Sequence, residues 1–463
     1  MTDNLILKVD SYKFCHSKCL PPGTDYISSY IESRGGRFEK TVWFGLQMYL
    51  KSYLQKPIAR HDIDEAEEVV TAHGLPFNRA GWELILDKHG GFLPLRIKAA
   101  PEGSVIDTHN VLLTAENTDS CLPWLTGFVE TSLMRGVWYP TTVATVSYYA
   151  KLAILDALNK SSDDPDGQIP FKLHDFGARG NFSGEGAAIA GAAHLVNFLG
   201  TDTLEGVMAA RRYYGEPMAG FSVNASEHSV ICAWGQEREV DAYRNMLTQF
   251  AKPGSIVAVV SDSYDLYNAV SNIWGGVLKE TVEQSGATVV IRPDSGVVTV
   301  VPVDVVRLLS EKFGFTVNSK GYKVLPSCVR VIQGDGISID TIPVILNNLL
   351  LLGFSADNIC FGMGAGLHAK CDRDTKKFAM KASAISSNGV WKGISKNPLT
   401  DPGKRSRAGR LVLIRNKAGE YQTVPLEGNA GRDCLHTVYD NGRLLNQTTF
   451  AAVRELANRA MVR

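Results

Sequence analysis

A histidine, several carboxylates, two arginines and a run of glycines each follow a short apolar segment in this chain, where they could gather around a phosphate-bearing ligand. In Glu227-His228 the imidazole could shuttle protons or accept a phosphoryl group, provided a neighbouring carboxylate orients it. An ordinary surface pair is the alternative. Arg292-Pro293-Asp294-Ser295-Gly296 and Gly334-Asp335-Gly336 set carboxylates beside glycine, with Asp262 and Asp265 on a neighbouring segment. Such carboxylates hold ribose hydroxyls or a magnesium ion shared with substrate phosphates, or they cap the helix that follows. Gly362-x-Gly364-x-Gly366 offers bare backbone N–H groups for a phosphate, or simply reverses the chain. It lacks the spacing of a dinucleotide-binding fingerprint, which disfavours a dehydrogenase. Phe176 and Arg179 suggest an aromatic face for a planar ring and a cation for its phosphate, against the commoner case of a buried Phe.

These residues need strands to position them. Ile256-Val257-Ala258-Val259-Val260, Val289-Val290-Ile291, Val329-Arg330-Val331-Ile332 and Asn358-Ile359-Cys360-Phe361 are short β-branched or apolar runs, each followed by a polar loop and a helical stretch. Their spacing of roughly 30 to 40 residues is that of βα units in a parallel sheet or barrel. Phe171-Lys172-Leu173 and Phe221-Ser222-Val223 fit the same scheme. Helices are predicted for Asp64 to Thr71 and Thr141 to Leu158, and strands for Leu95 to Lys98 and Val111 to Ala115. The expectation is an α/β protein: a barrel-like (β/α) domain over residues 145–375, and a second, discontinuous α/β domain from residues 1–144 plus 376–463. An open doubly wound sheet is the alternative.

Composition narrows the function classes. The 463 residues carry 48 Lys plus Arg against 48 Asp plus Glu, which argues against nucleic-acid binding through a basic surface. The first residues, Met1 to Lys8, form too short an apolar run for a secretory segment. The richest apolar stretch, Ile342 to Phe354, is broken by Pro343, Asn347 and Asn348, well before the roughly 18 residues a membrane helix needs. Eight scattered cysteines without a C-x-x-C pair fit reduced thiols in a cytoplasm. Cys15-His16-x-x-Cys19 lacks two further ligands for zinc.

Taken in order, the blocks resemble the type II phosphoribosyltransferases that act on nicotinamide, nearly end to end. They are Asp10-Ser11-Tyr12-Lys13, Lys172-Leu173-His174-Asp175-Phe176-Gly177-x-Arg179-Gly180, Gly200-Thr201-Asp202-Thr203, Glu227-His228-Ser229 and Val260-Ser261-Asp262-Ser263-Tyr264-Asp265. Ile291 to Gly296, Val331 to Gly336 and Lys404-Arg405-Ser406 complete the series. The resemblance implies transfer of phosphoribose from phosphoribosyl pyrophosphate to nicotinamide for NAD salvage, with Mg2+, and with ATP hydrolysis coupled through a phosphohistidine at His228. It implies a cytoplasmic homodimer with shared active sites, and neither nucleic acid nor membrane as a partner. By position, Phe176 and the other subunit's Tyr12 would sandwich the pyridine, and Asp202 would accept from the carboxamide. Arg292, Asp294 and Asp265 would hold the ribose and base side, with Asp294 and Glu227 joining His228 in catalysis. Arg179, Gly334, Asp335, Gly364 and Ala365 would line the phosphate region, and Arg34, Arg373, Lys381 and Lys404 would add positive charge; the metal ligands are not assigned. The chain departs from that pattern at Ala178, where an aromatic is frequent, and at Ala365, whose Cβ limits close approach and positive φ. The competing readings are a nicotinate phosphoribosyltransferase and a non-catalytic binding or signalling relative.

Overall fold

The computed structural model describes residues 4–401, 404–429 and 431–461. The opening of the N-terminal apolar run and residues 402–403 of the basic loop lie outside them. The chain divides into two compact units, Met1–Thr145 with Arg212–Glu216 and Cys371–Arg463, and Val146–Arg211 with Pro217–Lys370. Residues 212–216, which the sequence reading assigns to the barrel, pack with the first unit instead. Tyr213 O there accepts from Gln47 Nε2 at 2.8 Å and Lys51 Nζ at 2.6 Å, and Tyr214 OH donates to Glu102 at 2.6 Å.

The first unit is built on a seven-stranded antiparallel sheet. Its order is Val390–Gly393, Phe378–Ser387, Thr24–Ser33, Val111–Asn117, Leu95–Ala99, His436–Asp440 and Arg443–Leu444. Tyr30, Ile31, Leu95, Ile97, Leu113 and Ala115 form part of its buried core. The helix Arg60–Ala72 adds Ile63, Ala66 and Val70 at helical spacing.

The second unit is a parallel barrel. Its strands are β1 (Leu173–Asp175), β2 (Gly200–Thr201), β3 (Asn224–Ala225), β4 (Ile256–Val260), β5 (Thr288–Arg292), β6 (Val329–Gln333) and β7 (Ile359–Met363). The sheet runs β2-β1-β7-β6-β5-β4-β3. A parallel bridge joins Gly200 of the edge strand β2 to Phe221, three residues before the other edge strand β3, with Phe221 N–H donating to Leu199 O at 2.7 Å and Thr201 N–H to Phe221 O at 2.9 Å. The ring is therefore closed in chain order, and the open doubly wound alternative falls. Alternation explains the strand composition: Val257, Val259, Val289, Ile291, Val331 and Phe361 are fully buried, while Ala258, Val290, Ile332 and Cys360 form an inner layer with Phe176 and Val223. Two expected strands shift, because Ile169–Phe171 is a 3₁₀ turn and Phe221 contributes only a bridge. No helix among the described residues is long and apolar enough to cross a membrane.

The helix Gly184–His194 ends in a buried imidazole that gives the barrel a pH dependence. His194 Nδ1 lies 3.0 Å from Ser147 Oγ and Nε2 3.2 Å from Gly200 O, so the neutral ring is satisfied on both sides. Burial pushes its pKa down to about 4, only partly opposed by Asp175. Above about pH 6.5 the ring is neutral in both folded and unfolded chains, and its stabilisation is complete. As pH falls toward about 4 the unfolded chain takes the proton first, and stability is lost. The urea midpoints of the native chain and of His194→Gln, compared at pH 7 and pH 5, should show the variant losing about 2 kcal/mol less over that interval. Equal losses would remove His194 from the acid limb.

Candidate active site

The lumen encloses a cavity of about 360 Å³ lined by His174, Phe176, Asp202, Ser222, Ala258, Val290, Arg292 and Ile332, among others. Phe176 lies directly after β1, and its N–H donates to Met363 O at 3.0 Å. Its ring rests on glycine. A Cβ on Gly362 would lie 2.9 Å from Cζ and nearer still to two other ring carbons, and one on Gly334 would lie 3.6 Å from Cε2. These two glycines leave room at the lumen mouth for one aromatic ring, which offers a planar ligand a stacking surface.

Beside it, adjacent strands β3, β4 and β5 deliver the titratable groups. His228 opens the helix His228–Cys232 after β3. Its Nε2 lies 3.1 Å from Asp262 Oδ1, after β4, and its Nδ1 3.9 Å from Asp294 Oδ2, after β5. Asp262, only 3% exposed, also accepts from Asp294 N–H at 3.0 Å and Ser295 Oγ–H at 2.5 Å. It therefore fixes both the imidazole and the Asp294 loop, a role the sequence reading did not assign to it. Glu227, by contrast, accepts from Ser229 Oγ rather than from His228, so the orienting carboxylate comes from the neighbouring strand. Arg292 Nη2 lies 3.7 Å from Asp294 Oδ2, and its buried Nε has no hydrogen-bond partner among the described residues, a donor suited to a ligand acceptor.

Asp202 stands on the lumen wall with Oδ1 accepting from Ser222 Oγ at 2.5 Å. Burial holds the nearby His174 below the ordinary imidazole range, partly opposed by the Asp202 charge. Lys172 lies among the lining residues and donates to the carbonyls of Ala356, Asp357 and Ile359 at 3.0 to 3.1 Å. Burial brings its pKa down to about 8.

The remaining barrel candidates are less gathered. Arg179, Asp335 and Asp265 are exposed, and Asp265 caps a short helix through Asn268 N–H at 3.0 Å. Gly364 has φ −91°, and Ala365 opens the turn Ala365–His368 without a positive φ. The Cβ of Ala365 is thus accommodated by a helical turn.

Tyr12, Arg34, Arg373, Lys381 and Lys404 belong to the first unit. Tyr12 is 55% exposed. Arg34 pairs with the buried Glu32 at 2.7 Å, and Arg407 reaches the same carboxylate at 3.5 Å. Lys381 and Lys13 share Glu130, at 4.0 and 2.5 Å. Arg373 and Lys404 make exposed contacts with Asp374 and Asp401. Among the described residues no three His, Cys, Asp or Glu side chains converge as a metal cage. Asp294, with its carboxylate partly exposed, fits a magnesium ion carried in on substrate phosphates, which needs only one or two protein carboxylates.

A closed parallel barrel with a histidine, an arginine and carboxylates gathered at the C-terminal ends of its strands is the frame of a barrel enzyme. The profile of the nicotinate phosphoribosyltransferase family matches residues 171–443, and that of the nicotinamide phosphoribosyltransferase N-terminal domain matches residues 4–97. The chain belongs to the nicotinate phosphoribosyltransferase family, and so to the pentosyltransferases. A nicotinamide phosphoribosyltransferase of Xanthomonas campestris pv. campestris is 54% identical over 468 residues, covering 99% of each chain. One of Acinetobacter baylyi is 33% identical, covering 98% of this chain and 96% of its own. The fold is shared with a crystal structure of nicotinate-nucleotide pyrophosphorylase from Pyrococcus furiosus, with a TM-score of 0.64 at 16% identity over 99% of this chain and 96% of that one. It is shared also with human nicotinic acid phosphoribosyltransferase, with a TM-score of 0.54 at 16% identity over 98% and 93%.

Proposed function

We propose that the chain transfers the phosphoribosyl group of phosphoribosyl pyrophosphate to nicotinamide, forming nicotinamide mononucleotide and pyrophosphate in NAD salvage. The observation that carries the choice of base is the Asp202 carboxylate on the lumen wall, in the same cavity as the Phe176 ring. The pyridine stacks on Phe176 and its carboxamide N–H donates to Asp202. The pyridine nitrogen attacks C1′ as the bond to pyrophosphate breaks and the leaving group keeps the electron pair. Positive charge growing on the ribose ring faces Asp294, and Arg292 positions the sugar through its unpartnered Nε. Magnesium, when bound with the diphosphate, stabilises the charge that leaves. ATP hydrolysis is coupled through His228. Asp262 accepts from Nε2–H and so leaves the Nδ1 lone pair free as the phosphoryl acceptor. We further propose a homodimer in which Tyr12 serves a partner copy's pyridine pocket; its ring is largely exposed.

A product assay with nicotinamide and nicotinate, each with and without ATP, tests this reading. Nicotinamide should be preferred, because a carboxylate at residue 202 accepts from an amide and repels a second carboxylate. Asp202→Ser should reduce that preference about 100-fold. Equal selectivity in variant and native chains would clear Asp202 of the role, and product from nicotinate alone would make the chain a nicotinate enzyme.

A further inference from the structure

The loop that carries Phe176 and Arg179 is held from within by three polar side chains that the reaction does not use. Asp175 and His368 are both fully buried, with His368 Nε2 2.9 Å from Asp175 Oδ1. The same carboxylate oxygen accepts from Gly177 N–H at 2.7 Å. On the other side of the ring, His368 Nδ1 lies 3.2 Å from Asn181 Nδ2. Asn181 Oδ1 in turn accepts from Phe182 N–H at 2.7 Å. The imidazole also fills the space over Gly177, where a Cβ would come within 2.7 Å of Nε2. His368, on the turn that follows the glycine run, therefore grips both ends of the segment 177–181.

One proton arrangement suits the contacts on both sides of the ring. Nε2–H faces the Asp175 carboxylate at ion-pair distance, and the Nδ1 lone pair accepts from the Asn181 amide, whose oxygen is already committed to the backbone. Burial draws the Asp175 carboxyl upward, but the His368 hydrogen bond and charge, with His194 behind it, hold it below the ordinary carboxylate range. His194 is a further titratable neighbour of Asp175, and His194 in turn faces His368 and His174.

We propose that His368 is a positioning residue: through Asp175 and Asn181 it locks the loop that presents Phe176, and thereby sets the affinity for the pyridine base. The proposal rests on the reading that the lumen takes nicotinamide. Its test compares His368→Leu, which keeps volume but no polar contact, with His368→Gln, whose amide can donate to Asp175 and accept from Asn181. In an active native enzyme, His368→Leu should raise the KM for nicotinamide about tenfold while kcat changes less than about threefold, and His368→Gln should recover most of the loss. A KM within about twofold of native in folded His368→Leu, or a Gln variant no better than Leu, would overturn the proposal. Should His368→Leu fail to fold, Asn181→Ala removes the outer contact, together with the Phe182 N–H bond, and leaves the Asp175 side intact; it should raise KM about threefold, and an unchanged KM there overturns the proposal equally. Nitrogen NMR of histidine-labelled native protein gives a readout without turnover, and a proton on Nδ1 of His368 instead of Nε2 would also sink the clamp. A native enzyme that forms no product from nicotinamide would instead defeat the reaction reading.

Discussion

Gly362→Ala is expected to lower kcat/KM for nicotinamide about 100-fold, because it evicts the stacking ring from the lumen mouth. The new methyl would lie 2.9 Å from Phe176 Cζ and closer to two further ring carbons, and carbon atoms do not share that space. The backbone of Phe176 cannot retreat easily, since its N–H is tied to Met363 O at 3.0 Å and it sits at the end of β1. The ring must therefore rotate away, and the base loses its platform. Overpacking of this kind also costs about 1 to 3 kcal/mol of stability, so thermal unfolding should accompany the kinetics. Phe176→Leu in the same background separates the two effects: it should recover stability without recovering KM. Native kinetics in Gly362→Ala would show that the ring is not the platform.

The second large effect belongs to Asp262. Asp262→Asn is isosteric and keeps an oxygen for Asp294 N–H and Ser295 Oγ–H. It then turns an NH2 group toward His228 Nε2, which must accept instead of donate. The proton moves to Nδ1, and the phosphoryl-accepting lone pair disappears. ATP hydrolysis and labelling of the enzyme by γ-labelled ATP should drop about 100-fold or more. Synthesis without ATP should fall far less. His228→Ala should abolish labelling outright, and full ATP coupling in either variant would refute the histidine route.

Much of the barrel is legible in the sequence because its central strands are short β-branched runs ending in polar loops. Ile256–Val260, Thr288–Arg292, Val329–Gln333 and Ile359–Met363 stand close to where periodicity puts them. The two-residue strands Gly200–Thr201 and Asn224–Ala225 carry no periodic signal, since two residues cannot alternate. The helix Glu130–Ser161 contains Pro140, and for that reason the sequence pattern starts it only at Thr141. At the site, residue types are visible but pairings are not. Glu227 neighbours His228 in sequence, yet Asp262 on the next strand holds the ring. The one available signal was the carboxylate placed two residues after Ile256–Val260, at the strand end where barrel chemistry collects. The ion-pair contact between Asp175 and His368 joins residues 193 positions apart and has no local signature.

The seam at Gly200 and Phe221 gives the barrel a weak stave. There β2 meets Phe221, three residues before β3, through a single bridge, and the hydrogen-bonded pair Asp202 and Ser222 stands just past it, one member on each side. Under the proposed reaction, the group that would tell two similar pyridines apart thus stands beside the most thinly paired joint of the ring.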